Sequence, residues 1–314
     1  MADVDMGAKI KNVESNANPG AGRGNTELGT NIVKGEFAPM ASGKTIVFDT
    51  GAFSQSALAA QDVFDGFSNF RLWSMIAWRD IKQRYRRSTL GPFWLTLSMA
   101  FMVTGLGLVY GALFKMDLHT YLPFVCLGLI LWDFISKSIL EGSVSFLMLE
   151  GLIKQIRLPL TTHIASTIWR NIIVFGHNAV IYVVVAAIFG LNPGWHALWF
   201  VPAFILVLLN LTWVGLMLAI FCTRFRDVSL IIQSVVQMLF FVTPVFWSPS
   251  LMSSRAVLVH GNPFYHMLQL LRAPLLGENP GLESWIFMIG MLCLGWGAAF
   301  LLFTKFRRRI AYWL

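Results

Sequence analysis

Three ionisable residues recur at helical spacing inside an otherwise apolar stretch. Asp133, Lys137 and Glu141 are four residues apart, so on a helix they form one stripe and can pair along it. Arg170 lies nine residues into the next apolar stretch. An ion in hydrocarbon is costly unless paired, and it marks a functional position by default. If the two stretches run antiparallel, Arg170 comes close to the depth of Asp133. The sequence therefore predicts an Asp133–Arg170 ion pair, either a lock beside a pathway or a structural staple between two helices. A proton relay needs a carboxylate without a permanent cation beside it, and this pattern does not favour one.

Other reactive residue types assemble no chemistry. His163 and His177 are fourteen residues apart with no carboxylate or cysteine at ligand spacing. There is no HExxH, no GxSxG and no metal cluster. Cys126, Cys222 and Cys293 each sit in an apolar stretch without a CxxC pattern, and read as small buried hydrophobes. Ala38-Pro39-Met40-Ala41-Ser42-Gly43-Lys44-Thr45 fits a relaxed phosphate-loop pattern. That loop works only between a strand and a helix, where backbone N–H groups cradle phosphates. Gly35 and Glu36 stand just before it and Pro39 within it, which does not read as a strand, so the match is a chance one.

The elements that position these residues follow from composition. Of 314 residues, 56% are hydrophobic and 13% charged, against about 25% charged in soluble domains. A membrane is the expected solvent. The net charge of +8 lies in cations that flank apolar spans, which argues against nucleic acid as a partner. Residues 1–65 are rich in Gly, Asn, Ala and Ser. They read as a disordered cytoplasmic tail without a signal peptide.

Six spans are long enough to cross about 30 Å of hydrocarbon, at roughly 92–114, 120–145, 161–189, 197–221, 228–247 and 284–304. With the N-terminus inside, fourteen Lys and Arg fall on the cytoplasmic flanks and three, Lys115, Arg255 and Arg272, outside. Both termini are therefore expected in the cytoplasm. Residues 67–88 read as one amphipathic helix in the headgroup plane. Phe67, Phe70, Trp73, Ala77, Trp78, Ile81 and Tyr85 share a face opposite Arg79, Lys82, Arg86 and Arg87. Leu90-Gly91-Pro92 is the corner where that helix turns into the first span. Ser248–Gly281 is too polar to cross and too apolar for an exposed loop, so it reads as re-entrant helices and a gate candidate.

Four stretches carry a resemblance. Trp78–Trp94 (WRDIKQRYRRSTLGPFW), Glu150–Leu160 (EGLIKQIRLPL), Phe225–Trp247 and Asn262–Gly277 stand in the order and spacing of the membrane subunit of ATP-binding-cassette polysaccharide exporters. The chain resembles that family from about residue 65 to 314. The resemblance implies an all-α integral membrane fold, in a homodimer with the translocation path at its interface. It implies an inner-membrane location, and two separate ATPase subunits that carry ATP and Mg, with no cofactor and no hydrolysis in this chain. It makes Leu149–Leu160 a coupling helix seated in an ATPase cleft, with Glu150, Lys154 and Arg157 as polar contacts. Arg79, Asp80 and Arg84 of the in-plane helix would touch the ATPase or lipid phosphates.

The substrate adds physical constraints. A glycan presents hydroxyls and flat C–H faces, so its path should be wide, wet and lined by aromatic platforms. Trp94, Phe101, Phe240, Phe241, Phe246 and Tyr265 are the candidates, with helix packing and lipid contact as the competing reading. Arg84, Arg86 and Arg87 suit a diphosphate headgroup at the inner leaflet. Two other functions compete: a drug or lipid exporter of the same superfamily, and a membrane-embedded acyl- or glycosyltransferase.

Overall fold

A computed structural model describes residues 55–86, 91, 93–156, 158–248 and 259–314. Most of the expected tail, the phosphate-loop-like stretch, Arg87, Leu90, Pro92, Arg157 and Arg255 lie outside the described residues. Every regular element among the described residues is helical.

Among the described residues, five helices are long and apolar enough to cross a membrane: α3 (Phe93–Phe114), α4 (Leu118–Ser143), α7 (Thr161–Phe189), α8 (Phe200–Arg224, extended by a 3-10 turn from Gly194) and α11 (Leu282–Trp313). The chain is a multi-pass, all-α membrane protein. The sixth apolar helix, α9 (Val228–Val242), has 15 residues, about 22 Å, where a span to Trp247 was expected.

Pro244 explains the early stop. It cannot donate a hydrogen bond to the carbonyl of Phe240, and its ring disfavours the helix there. The chain then runs through Thr243, Pro244, Val245, Phe246 and Trp247 as buried non-helical backbone. Such backbone persists at membrane depth only when its polar groups are satisfied inside protein. Here Tyr121 donates its hydroxyl to the Phe246 carbonyl (2.6 Å), Arg272 donates to that of Pro244 (2.9 Å), and the Val245 N–H donates to that of Thr243 (2.7 Å). The side-chain amide of Asn262 donates to the Thr243 hydroxyl, and the Trp247 indole to the Phe241 carbonyl. Gly128 of α4 lets this backbone approach. A Cβ there would lie 2.0 Å from the Val245 carbonyl oxygen.

The central helix is α4, buried along most of its length between α3, α7 and α8. It crosses α8 at Gly142 and Gly215, whose backbones nearly touch, the small-residue packing that helices use in lipid. Asn210 of α8 donates to the Met288 carbonyl of α11 and accepts from the Trp213 indole, so this polar side chain is fully used. The segment after α9 contains α10 (Pro263–Leu275), too short at 13 residues to span and buried along one side against α4, α8 and α11. It is capped by Asn262, which accepts from the Phe264 N–H.

The amphipathic stretch differs from its expected form. It breaks at Asn69 into α1 (Gln55–Ser68) and α2 (Phe70–Arg84). Residues 55–65, assigned to the tail by composition, are helical. The apolar face of α2 is also divided: Ala77 and Ile81 are buried, while Phe70 and Trp78 are exposed. Of the three cysteines, Cys126 and Cys222 are buried and Cys293 is exposed.

Candidate functional site

Basic residues collect where α4 and α8 end, α7 begins and α11 finishes. Between the last turns of α4 and the first of α7 lie two short helices, α5 (Ser145–Met148) and α6 (Glu150–Gln155). Helix α6 buries none of its residues. Along it Lys154 pairs with Glu150 at 2.6 Å, one turn apart. This hydrogen bond and the lysine charge hold the Glu150 carboxyl below the usual carboxylate range.

Above α6 is an ion-paired junction. Arg170 of α7 donates through Nη1 to Asp80 of α2 (2.7 Å) and through Nη2 to Glu141 of α4 (2.8 Å). One guanidinium thus ties three helices, and its fork geometry suits two carboxylates at once. Arg84, one turn beyond Asp80, reaches Glu141 more loosely at 3.4 Å with its side chain 53% exposed. Asp80, Gln83, Arg84, Glu141, Ser145 and Arg170 help line a cavity of about 390 Å³. Beside it, burial pushes the Tyr85 hydroxyl above its ordinary range, with the Arg84 charge acting the other way.

The predicted Asp133–Arg170 pair does not form. Asp133 is bound to Lys137 (2.9 Å) and to Asn178 of α7 (3.2 Å). Asp133 faces Asn178 and Glu141 faces Arg170, so both contacts belong to one antiparallel register. That register is displaced by eight residues, about 12 Å, from the one that apolar boundaries suggest. The boundaries mislead because α7 begins beyond the end of α4: in this register Thr161 falls level with Glu150, past Ser143. Glu141 was visible in the stripe, but its partner depended on the helix overhang, which the apolar pattern does not encode.

Other predicted residues divide. Asp80, expected to face a partner protein, is turned inward onto Arg170. Arg79, Lys82, Gln83 and Arg86 line an open cup of about 560 Å³ on the outer side of α2. Trp94, Phe101 and Phe241 expose most of their surface, 56%, 71% and 61%. Phe240 is half-buried. Phe246 does not fit a lining role, because it is packed against Tyr110, Phe240 and Phe241 in the interior. Tyr265 is half-buried beside His260 and His266.

One deep residue went unassigned by sequence. Arg272 of α10 is 2% exposed. It donates to the Pro244 carbonyl and to Gln269, and its guanidinium lies 3.9 Å from the centre of the Phe124 ring. Sequence places it among the outer-loop cations. Its place in the run Leu270-Leu271-Arg272-Ala273-Pro274-Leu275-Leu276, one turn after Gln269, is the signal that it is held inside.

Residues 71–276 match the family model of the ABC-2 type transporter. The chain belongs to the ABC-2 type transporter family. The match includes the Arg170 junction, α6, the break after α9 and Arg272. The chain is also similar to curated O-antigen export permeases, two of which illustrate the range. The O-antigen export system permease protein RfbA of Myxococcus xanthus is 26% identical over 194 residues, covering 60% of this chain and 74% of the relative. A permease of the same name from Klebsiella pneumoniae is 20% identical over 201 residues, covering 63% and 78%. As an ABC-2 family member, the chain is a transport subunit, and its family implies an ATPase partner.

Proposed function

We propose that this chain is the membrane-spanning subunit of an ATP-driven exporter that moves a lipid-linked polysaccharide, of the O-antigen or capsule class, from the cytoplasm across the inner membrane. It works as a homodimer with two ATPase subunits, which bind the ATP and magnesium. The observation that carries this reading is α6: a short helix with no fully buried residue, at the basic end of an ABC-2 family bundle, adjoining a junction that ties three helices. The names of the relatives add the substrate class.

In this reading the basic end faces the cytoplasm, the orientation that the excess of Lys and Arg there supports. Glu150, Lys154 and Arg157 meet the ATPase. Asp80 acts inside the junction, holding α2 to the α4–α7 pair, while Arg79 stands outside it. Arg84, Arg86 and Arg87 are the proposed partners of phosphate oxygens at the inner leaflet, since guanidinium groups suit those oxygens. The exposed aromatics Trp94, Phe101 and Phe241 face either the path or the second subunit.

Deletion of the gene, with export of glycan measured, tests the reading. Glycan should accumulate inside the cell and return to the surface when the chain is restored. Normal surface glycan in the deletion strain would contradict it.

A further inference from the structure

The helix α1 lies outside the family-matched residues 71–276, and so does Arg307 near the end of α11. The two meet at one buried carboxylate. Asp62 is 4% exposed. Its Oδ2 accepts from Arg307 Nε at 3.0 Å. Its Oδ1 accepts from the backbone N–H of Thr161 at 3.3 Å and lies 3.1 Å from the Thr161 hydroxyl. That hydroxyl is also 2.7 Å from the Asp62 carbonyl oxygen. Each carboxylate oxygen serves a different helix.

Thr161 is the first residue of α7, and Leu160 before it supplies no side-chain cap. The first N–H groups of a helix lack intrahelical partners and favour negative charge. Asp62 fills that need from 99 residues away in sequence. The fit is close at the backbone as well. Ala59, Asp62 and Gly66 are the buried residues of α1, and a Cβ on Gly66 would lie 1.9 Å from the Thr161 hydroxyl oxygen. Phe67, one residue on, stands edge-to-face with Trp296 of α11 at 6.4 Å.

Position gives this cluster its meaning. Thr161 is where the α6 segment becomes α7. Arg307 lies on α11, which also packs against α10 and α8. We infer that Asp62 is a positioning residue for energy coupling: it joins the α6 segment to α11, so that displacement of α6 by an ATPase is passed to the helix that carries α10. This rests on the reading of the chain as an ATP-driven exporter subunit. Apolar packing alone would hold α1 in place but would tolerate sliding, whereas a carboxylate shared between an N-terminus and an arginine admits one register of three helices.

The test uses the whole chain co-expressed and reconstituted with its ATPase, and it measures complex recovery, ATP hydrolysis and glycan exported per ATP. Asp62→Asn keeps an acceptor for Thr161 but weakens the bond to Arg307. It should leave complex recovery and hydrolysis near wild type and cut export per ATP about fivefold or more, the scale of a typical coupling energy. Arg307→Gln should do the same, Arg307→Lys should restore part of the ratio, and Asp62→Asn with Arg307→Gln should be no worse than either alone. A ratio at the wild-type value in Asp62→Asn and Arg307→Gln overturns the inference. So does a loss of complex or of hydrolysis that matches the loss of export, because that outcome marks a purely structural role. Absence of ATP-dependent export in the wild type defeats the exporter reading itself.

Discussion

Arg170 and Arg272 both sit among apolar helices, and they are held by opposite chemistry. Arg170 has two carboxylates, from α2 and α4, with their side chains 29% and 22% exposed. Arg272 is held by a carbonyl, an amide oxygen and an aromatic face, with no ion pair to a described residue. The difference follows from what each must hold. Arg170 joins separate helices at the basic end, where charge can be exchanged near water. Arg272 fixes a stretch of non-helical backbone, where every donor and acceptor must be matched within the fold. The basic end is thus fastened by contacts that can be remade, and the broken fifth helix by contacts that are fixed.

Four measurements can break or sharpen this contrast. The largest effect is expected at Arg272. Arg272→Met removes two charge-assisted hydrogen bonds, leaves the Pro244 carbonyl unmatched and loses the stack on Phe124. This should destabilise the protein by about 3–5 kcal/mol, read as a lower unfolding temperature in nanodiscs. No neutralising change elsewhere should restore it.

Arg170→Gln leaves two partly buried carboxylates facing each other, a loss of up to about 3 kcal/mol once their exposure is allowed for. Here rescue is expected: adding Asp80→Asn or Glu141→Gln should recover much of the stability. Failure of that rescue, or rescue of Arg272→Met by the same substitutions, would erase the contrast.

Arg84→Gln should change stability by less than about 1 kcal/mol, because the pair with Glu141 is long and exposed. Its effect should shrink further in high salt, because at 1 M the Debye length falls to about 3 Å, no longer than the 3.4 Å separation of this exposed pair. The smallest effect concerns pH. The Glu150 carboxyl is held below its ordinary range by Lys154. The contribution of the pair to α6 is therefore present above the ordinary carboxylate pKa and fades as pH falls through the lowered value. Titration of Glu150 by NMR should show that lowered midpoint, moving up towards the ordinary value in Lys154→Gln.

How much of this was legible in the sequence depends on which forces set each feature. The spans α3, α4, α7, α8 and α11 follow from apolar run length. The short α9 was hidden because Val245, Phe246 and Trp247 continue the apolar run, although Pro244 was the signal that the helix ends. Asp80 was placed on a partner surface since its partner, Arg170, lies 90 residues away. The sequence points to Asp133 instead of Glu141 as the partner of Arg170 because apolar boundaries suggest one depth, while the overhang of α7 sets the register. The helix α1 was missed because its buried side is Ala59, Asp62 and Gly66, two small residues and a carboxylate. Its anchoring relies on hydrogen bonds and close backbone approach, and hydrophobic periodicity does not report those.

The central claim is that α6 receives work from an ATPase and the bundle converts it to export. The direct measurement is ATP-driven glycan translocation by the reconstituted complex of this chain with its ATPase, comparing wild type with Glu150→Lys, a charge reversal on α6, which has no fully buried residue. The account predicts ATP-dependent translocation by the wild type. It also predicts, for Glu150→Lys, a folded chain that either loses the ATPase or hydrolyses ATP without transport. Translocation by Glu150→Lys at the wild-type rate, with the ATPase still bound, would contradict it.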